Sequence, residues 1–334
     1  MPVVDLHTHI TPEGFKQAIR DHGEWHGLKA KVGELQFPGF RLSVEERLVQ
    51  MADWGVDAQA LSPNVGFFQY DNDLEVTKAI ARECNDEIAD IVAEHPGVFI
   101  GMGTVPMQDI PSAISELTRV IQSLGFKGVI IGDHVNGQTY DDPRFLPFFE
   151  AAESLGALLF FHQSGGTLVK SRIAGYYLDN SVGNLTERAL TFGAIVYGGV
   201  LDRHPELKLM LAHAGGYAAF GASRMDKASG VLERGADAGR GFVPPLDHEG
   251  TSTPIHRAPS SYLNSFYYDC CTFSGPTLRF LIDQVGIDRV VLGTDYPAPM
   301  VLDDAVHWVR ALDCLTDQEK DAILTSNPSR LAGL

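Results

Sequence analysis

Short runs of apolar residues recur along the chain between longer stretches in which apolar positions repeat every three to four residues. The short runs have the near-continuous apolar character of strands in a parallel sheet, which are buried on both faces. The longer stretches have the period of helices that bury one face, and Ser, Asp or Pro at their starts marks helix boundaries. The strand-like runs are residues 3–6, 56–62, 98–103, 127–132, 157–162, 207–213, 265–270 and 289–295.

Eight strands that alternate with helices predict a single (β/α)8 TIM barrel over residues 1–334. A doubly wound open sheet is the alternative, but no G-x-G-x-x-G follows the first strand, and such a sheet does not require eight evenly dispersed strands. Two long stretches, residues 11–42 and 235–263, interrupt the alternation. We expect them to be loops at the carboxyl-terminal face that form lids, substrate walls or interfaces, with disorder as the alternative for residues 235–258. Helices are predicted at residues 43–54, 73–95, 111–125 and 142–156.

The composition is that of a globular protein, with 44% hydrophobic and 21% charged residues among 334. Apolar runs stay far below the length of about 18 residues that a membrane span needs, so no membrane segment is predicted. The formal net charge of −17 disfavours nucleic acid as a partner. Four cysteines without C-x-x-C spacing read as reduced thiols, and no leader-like segment is evident, which together favour the cytoplasm.

Polar residues of one chemical type follow the predicted strands. His7 and His9 lie two residues apart after the first apolar run, and side chains at i and i+2 share one face of a strand. Three further strands end in His162, His213 and Asp295. The carboxyl ends of TIM-barrel strands carry active sites, and imidazole and carboxylate together suit zinc, manganese or iron. A single histidine would more often be a core residue, but five such residues on four strand ends indicate a metal centre.

Seven segments of the chain carry a family resemblance. They are "DLHTHI", "VDAQALS", "IGMGTVPMQ", "GFKGVIIGDHVNG", "GGVLDRHPELKLMLAHAGG", "SFYYD" and "VVLGTDYPAP". In order and spacing the chain resembles the amidohydrolase superfamily, and more closely the branch that contains aminocarboxymuconate-semialdehyde decarboxylase and γ-resorcylate decarboxylase. The resemblance implies a homodimer or higher oligomer, four metal ligands, an acid/base histidine and an arginine that holds a substrate carboxylate. In this chain these are His7, His9, His162 and Asp295 as ligands, His213 as acid/base and Arg47 as the carboxylate clamp.

Two departures from the family pattern matter. The fourth predicted strand ends "VIIGDH" and has Lys127 at its start, so the carboxylated lysine that bridges two metals in many relatives is missing. We therefore expect one divalent ion, zinc first and manganese as the alternative. Gln163 and Ser164 stand where the aminocarboxymuconate enzymes usually carry Pro-Trp, which leaves the substrate open.

Further substrate contacts are weaker predictions, each with a structural alternative. Arg47 taken on composition alone would be a solvated helix charge. His134 and Asn136 follow the fourth strand and could equally stabilise a turn. Phe68 and Tyr296 could stack on a planar substrate or pack in a wall. Arg234 lies near the position at which these decarboxylases send an arginine into a neighbouring subunit.

The resemblance implies a metal-dependent, non-oxidative decarboxylase of a small unsaturated or aromatic carboxylate. His213, with an ordinary pKa of about 6.5, can exchange the required proton near physiological pH. A metal-dependent hydrolase or hydratase is the alternative, since the same groups could open a lactone or amide or hydrate a double bond. A barrel that binds metal or ligand without catalysis is the third hypothesis. Release of CO2 without consumption of water separates the first from the second.

Overall fold

A parallel sheet of eight strands forms the centre of the protein, and a separate two-stranded hairpin lies outside it. The computed structural model describes residues 1–21, 23–29, 37–163, 165–173, 175–233 and 257–334. The order of strands in the sheet is β1-β4-β5-β6-β7-β8-β9-β10, with β2 paired to β3 in the hairpin. The strands are β1 (Val4–Ile10), β2 (Glu24–Trp25), β3 (Leu28–Lys29), β4 (Ala58–Pro63), β5 (Phe99–Gly103), β6 (Gly128–Gly132), β7 (Leu158–His162), β8 (Lys208–Leu211), β9 (Phe266–Asp269) and β10 (Val290–Val291).

Hydrogen bonds between the first and last segments of the sheet close it into a barrel. The backbone N–H of Leu6 donates to the carbonyl of Leu292 at 3.0 Å, and that of His9 donates to the carbonyl of Tyr296 at 2.7 Å. Thr8 and Tyr296 form a parallel bridge. The predicted TIM barrel is therefore confirmed, and its closure brings the end of β1 beside the segment that follows β10.

Helices follow the barrel strands and cover the outside of the sheet. None of the helices in the described ranges combines the length and the apolarity that a bilayer crossing needs. The helices are α1 (Glu13–Arg20), α2 (Val44–Trp54), α3 (Leu74–Glu94), α4 (Ile110–Gln122), α5 (Leu146–Leu155), α6 (Asn184–Tyr197), α7 (Val200–Arg203), α8 (Ala218–Glu233), α9 (Gly275–Val285), α10 (Ala305–Ala311), α11 (Asp317–Asp321) and α12 (Asn327–Ala332).

The four predicted helices are confirmed as α2 to α5, and their boundaries follow from capping chemistry. Ser43 and Glu46 form a reciprocal capping box at the start of α2. Gly55 ends the same helix in the left-handed conformation, with φ of 67°. Arg47 lies on the buried side of α2, so the capped ends of this helix set the position from which its side chain reaches β1.

The prediction of a long loop over residues 11–42 is wrong in its described parts. Helix α1, the β2–β3 hairpin and a 3-10 helix at Pro38–Arg41 occupy much of it. The sequence gives little sign of them because α1 has eight residues and no side-chain cap, and each hairpin strand has two residues. Of the second predicted loop, residues 235–256 lie outside the described residues, and Pro259–Ser265 forms a 3-10 helix.

The last barrel strand is also shorter than the predicted span of residues 289–295. Its regular pairing covers Val290 and Val291 alone, and the backbone reaches a left-handed conformation at Asp295, with φ of 64°. The segment from Leu292 to Asp295 remains hydrogen-bonded to β1, because the N–H of Asp295 donates to the carbonyl of His7 at 2.9 Å. This turn points the carboxylate of Asp295 over the barrel mouth.

Candidate metal centre

Four side chains from three segments of the barrel converge at its carboxyl-terminal end. His7 and His9 come from β1, His162 ends β7, and Asp295 follows β10. All four are buried, and they offer ligand atoms that lie within 4.8 Å of one another. The predicted ligand set is therefore brought together in one place.

The separations of these atoms suit a cation. Nε2 of His9 lies 3.2 Å from Nε2 of His7 and 3.0 Å from Oδ1 of Asp295. The same Asp295 oxygen lies 3.3 Å from Nε2 of His7 and 3.8 Å from Nε2 of His162. Ligands about 2.1 Å from zinc in a tetrahedral arrangement are separated by about 3.4 Å, close to these values. Both ring nitrogens of His162 are buried and have no hydrogen-bond partner among the described residues. The cluster can hold one divalent ion.

The two histidines of β1 present the same nitrogen to the centre because each is held by its other nitrogen. Nδ1 of His7 donates to Oδ2 of Asp269 at 2.8 Å. The Ser62 hydroxyl donates to a backbone carbonyl at 2.8 Å, so Nδ1 of His9, 3.1 Å away, donates to that hydroxyl oxygen. Both tautomers leave Nε2 as an acceptor, which is the form that binds a metal.

The electrostatics of the cluster also favour a cation. Burial disfavours the ionised form of Asp295, but His7, His162 and His213 outweigh it and hold the pKa of its carboxyl well below the usual range. Burial lowers the pKa of His9, and it holds the pKa of His162 well below its ordinary value. Burial also opposes protonation of His7, but the carboxylates of Asp295 and Asp269 overcome it and raise its pKa to about 10. His7 is therefore cationic in the metal-free cluster, and a divalent ion would take the place of its proton between the carboxylates and the two neutral imidazoles.

Asp269 is a functional residue that the sequence analysis missed. It is fully buried at the end of β9 and accepts from the backbone N–H groups of His213, at 2.7 Å, and Ala214, at 2.8 Å, as well as from His7. One carboxylate thus orients a candidate ligand and the loop that carries the candidate acid/base. The available signal was a carboxylate at a strand end, in "SFYYD", but the predicted strand ran one residue past it.

The loop after β8 has an unusual backbone. His213 and Ala214 both have positive φ, 55° and 57°, which few residues with side chains adopt. Gly216 follows, and a Cβ there would lie 2.2 Å from the carbonyl oxygen of Leu185. The glycine is needed for close approach to α6, and the hydrogen bonds from Asp269 stabilise the left-handed pair.

His213 lies beside the four-residue cluster and not within its hydrogen-bonded centre. Its Nε2 is 3.5 Å from Oδ2 of Asp295, the oxygen turned away from the β1 histidines, and its ring centroid is 4.8 Å from that of His162. Its Nδ1 is buried and has no hydrogen-bond partner within the described part of the chain. The imidazole can exchange a proton next to a bound ion.

Arg47 is buried, so the interpretation of this residue as a solvated helix charge is wrong. Its guanidinium donates to the carbonyl of His9, to Oε1 of Gln59 at 2.9 Å and to Oγ1 of Thr8 at 3.4 Å. It lies under the ring of Tyr296, 4.8 Å from the centroid, and burial lowers its pKa to about 10. Arg47 thus braces the backbone of β1 directly behind the cluster.

Three other predicted substrate contacts, Phe68, Asn136 and His134, interact with neighbouring groups of the protein. Phe68 is buried and stacks on Tyr70, with centroids 5.7 Å apart. Asn136 is exposed, has φ of 53° in a tight turn, and donates to the carbonyl of Tyr70 at 2.7 Å. Nδ1 of His134 accepts from the N–H of Gly137 at 3.2 Å in that turn. Arg234 lies outside the described residues.

A cavity of about 920 Å³ opens beside His213 and Asp295. Its described lining comes from the start of α6, the loop after β8, the start of α8, the segment after β9, and α9. That lining does not include Phe68, Tyr296 or the turn at Asn136. The candidate metal centre is therefore reached from the side of β8 and β9.

Comparison with known proteins agrees with this geometry. The family model described as amidohydrolase matches residues 4–334. The 2-amino-3-carboxymuconate-6-semialdehyde decarboxylase of Dictyostelium discoideum is 31% identical over 99% of this chain and 91% of that protein. The γ-resorcylate decarboxylase of Rhizobium sp. (strain MTP-10005) is 27% identical over 92% of this chain and 90% of that protein. The crystal structure of a 2,6-dihydroxybenzoate decarboxylase complexed with 2,6-dihydroxybenzoate superposes with a TM-score of 0.79, 25% identity and full coverage of both chains.

Proposed function

The chain belongs to the amidohydrolase family, and we propose that it is a metal-dependent, non-oxidative decarboxylase of a small aromatic or unsaturated carboxylate. The observation that carries the proposal is the convergence of His7, His9, His162 and Asp295, with His213 beside them at the end of a cavity. The relatives named above act on carboxylates by losing CO2, and the similarity to them extends over nearly the whole chain.

In the proposed reaction His213 supplies the proton. The bond between the substrate carbon and its carboxylate breaks, CO2 leaves, and the electron pair that stays on the carbon takes a proton from the imidazole. His7, His9, His162 and Asp295 would hold the divalent ion, which would supply a Lewis acid for a substrate oxygen beside the scissile carboxylate. Oδ2 of Asp295 lies 3.5 Å from Nε2 of His213, and the cavity gives the ring access to solvent for reprotonation.

Arg47 is proposed as the group that faces the substrate carboxylate. The guanidinium has five N–H donors, and its three contacts with Thr8, His9 and Gln59 use only part of them. A planar guanidinium with unused N–H groups can bind a carboxylate. Four further residues remain proposed substrate contacts: Phe68, Tyr296, His134 and Asn136. Arg234 remains a proposed contact with the substrate of a neighbouring subunit.

The finer features of the enzyme are also proposals. Zinc is the proposed ion because the set of three imidazoles and one carboxylate suits it, and manganese is the alternative. We propose one functional domain over residues 1–334, a homodimer or higher oligomer, and a cytoplasmic location, the last because all four cysteines are free. The net charge of −17 supports a small-molecule substrate and no nucleic-acid partner.

The test is a carboxylate panel that includes 2,6-dihydroxybenzoate, assayed by CO2 release after metal analysis of the purified protein. We expect about one divalent ion per chain and one CO2 per product. Two ions per chain would contradict the mononuclear centre. Turnover without CO2, with one water added, would instead support the hydrolase or hydratase alternative.

A further inference from the structure

A buried ion pair joins helix α6 to the end of β6. Nη2 of Arg188, in the second turn of α6, donates to Oδ2 of Asp133, and neither side chain is more than 1% exposed. Asp133 directly follows the last residue of β6. One turn further along α6, the hydroxyl of Thr191 donates to the backbone carbonyl of Asp133 at 3.2 Å. The helix therefore holds both the side chain and the backbone at this strand end.

The stability of the fold gives little reason for a charged pair at this position. Desolvation offsets much of the attraction between two buried charges, and an apolar pair of similar volume is often equally stable. Nε and Nη1 of Arg188 are also buried without a hydrogen-bond partner among the residues that the structure describes, which is a further cost. What an apolar pair cannot supply is a directional bond that fixes the distance between α6 and β6.

His162 is the candidate ligand whose orientation depends most on the strands around it. Each β1 histidine is held by a hydrogen bond to the ring nitrogen that faces away from the metal centre. Neither ring nitrogen of His162 has such a partner in the described ranges. Bonds of that kind normally fix the ring of a metal-binding histidine, so here the backbone and packing of β7 must do so. His162 pairs with Gly132 in the parallel register of β6 and β7, one residue before Asp133.

The first turns of α6 also hold the segments that follow β7 and β8. Glu187 accepts from the backbone N–H of Leu168, in the loop after β7, at 2.9 Å. The carbonyl of Leu185 accepts from the N–H of Tyr217, beyond the loop after β8, at 3.1 Å. The ion pair adds the end of β6 to these two anchors. The strand that bears His162 thus lies between two strands whose following segments are both bonded to α6.

We propose that Arg188 is a positioning residue, which sets the orientation of His162 at the metal centre through its bond to Asp133 at the end of β6. The inference rests on the proposed function, since it takes His162 as a metal ligand, and it assigns no substrate contact to Arg188. When the pair is removed, β6 and β7 can shift against α6, and the imidazole loses its fixed direction. Metal binding should weaken, and the geometry of the bound ion should change.

Cobalt(II) provides the readout, because its visible absorption depends on the number and geometry of its ligands. Arg188→Met alone leaves the Asp133 carboxylate buried and unpaired, which can prevent folding. The double variant Arg188→Met/Asp133→Leu removes both charges and keeps an apolar pair in their place. In chelator competition we expect it to bind cobalt about tenfold more weakly than the unmodified chain, the lower end of the loss typical when a group that orients a ligand is removed. Its absorption spectrum should change as well.

Asn85→Leu is the matched control. Asn85 is buried on α3 and holds the backbone of Thr104, which follows β5, through hydrogen bonds of 2.8 and 2.9 Å. Because β5 contributes no residue to the four-residue cluster, this variant should unfold at lower denaturant concentration yet keep the cobalt spectrum and affinity. Arg188→Lys keeps a cationic donor for the one Asp133 oxygen that Arg188 contacts, so its cobalt affinity should stay within about threefold of that of the unmodified chain.

The outcomes separate this inference from the proposed function. A double variant with the cobalt affinity and spectrum of the unmodified chain would overturn the positioning role, and so would equal changes in Asn85→Leu. A His162→Ala variant that keeps the spectrum would remove His162 from the ligand set and overturn the inference together with the proposed centre. If the double variant changes the spectrum as expected but no carboxylate releases CO2, the positioning role stands and the decarboxylase function fails.

Discussion

Replacement of Asp269 by Asn removes one charge from the barrel while keeping the shape of the side chain. Oδ2 of Asp269 accepts from Nδ1 of His7 at 2.8 Å and from the N–H of His213 at 2.7 Å. Oδ1 accepts from the N–H of Ala214 at 2.8 Å and from that of Cys271 at 3.0 Å. An amide NH2 in place of Oδ1 faces the backbone N–H groups of Ala214 and Cys271. An NH2 in place of Oδ2 faces the backbone N–H of His213 and forces His7 into the tautomer whose Nδ1 accepts and whose Nε2 carries the proton.

The magnitude follows from this count. Each buried donor left unsatisfied costs about 1–3 kcal/mol, so the loss of one or two of them destabilises the variant by about 1–6 kcal/mol. Loss of the carboxylate that orients a metal-binding histidine typically costs about 10- to 100-fold in metal affinity. We therefore expect Asp269→Asn to unfold at lower denaturant concentration and to bind its ion at least tenfold more weakly.

Asp5 provides the matched control, since it is equally buried on β1. Its Oδ1 accepts from the N–H groups of His7 and Thr294, but its Oδ2 accepts from the Thr294 hydroxyl alone, at 2.7 Å. An amide fits by donating to that hydroxyl oxygen, and burial already raises the pKa of Asp5 to about 6, so a neutral group suits the site. Asp5→Asn should lose less stability and keep its metal.

The assays are denaturant unfolding of the metal-free proteins and chelator competition for the ion. Unfolding of the metal-free proteins measures the stability lost with the hydrogen bonds of Asp269. Chelator competition measures the metal affinity lost when His7 is no longer oriented. An Asp269→Asn variant with the unfolding midpoint and metal affinity of the Asp5→Asn variant would show that Asp269 orients neither His7 nor the loop after β8.

Three further predictions concern the candidate site. His213→Ala should lose about 10²- to 10⁴-fold in kcat yet retain its metal by elemental analysis, as expected for a general acid/base; stoichiometric loss of metal would make His213 a ligand instead. His9→Ala should lose metal as well as activity, and full occupancy in that variant would remove His9 from the ligand set. Arg47→Lys should reduce kcat/KM at least tenfold despite keeping the charge, because the fork that donates to β1 and the carboxylate is lost; an unchanged value would make Arg47 a purely structural residue.

The barrel and its ligand set could be predicted because both depend on short-range patterns. Apolar runs bounded by helical periodicity identify the strands, and the ends of parallel strands meet at one face of a barrel. His7 and His9 lie in the carboxyl-terminal part of β1, His162 ends β7 and Asp295 follows β10, so strand assignment alone predicted that these side chains meet. The errors in the strand ends did not matter, because each ligand still lies toward the carboxyl-terminal face of the barrel.

The interactions that cross the barrel could not be predicted in this way. Asp269 accepts bonds from β1 and from the loop after β8, and neither partner is near it in sequence. Arg47 is buried because the fold places α2 over β1, whereas the local sequence around it is that of an exposed helix. The apolar cavity is assembled from three helices and two loops far apart in the chain, so no single segment indicates it.

In the proposed reaction His213 delivers a proton to the carbon from which CO2 departs, beside the metal centre. Turnover of the best carboxylate by metal-loaded enzyme in D2O, with CO2 and product mass measured together, tests this step. We expect one CO2 and one deuterium per product, placed on the carbon that bore the carboxylate, with a rate at least a hundredfold lower in His213→Ala. Product formed without CO2, or heavier than the substrate by one water, would contradict it.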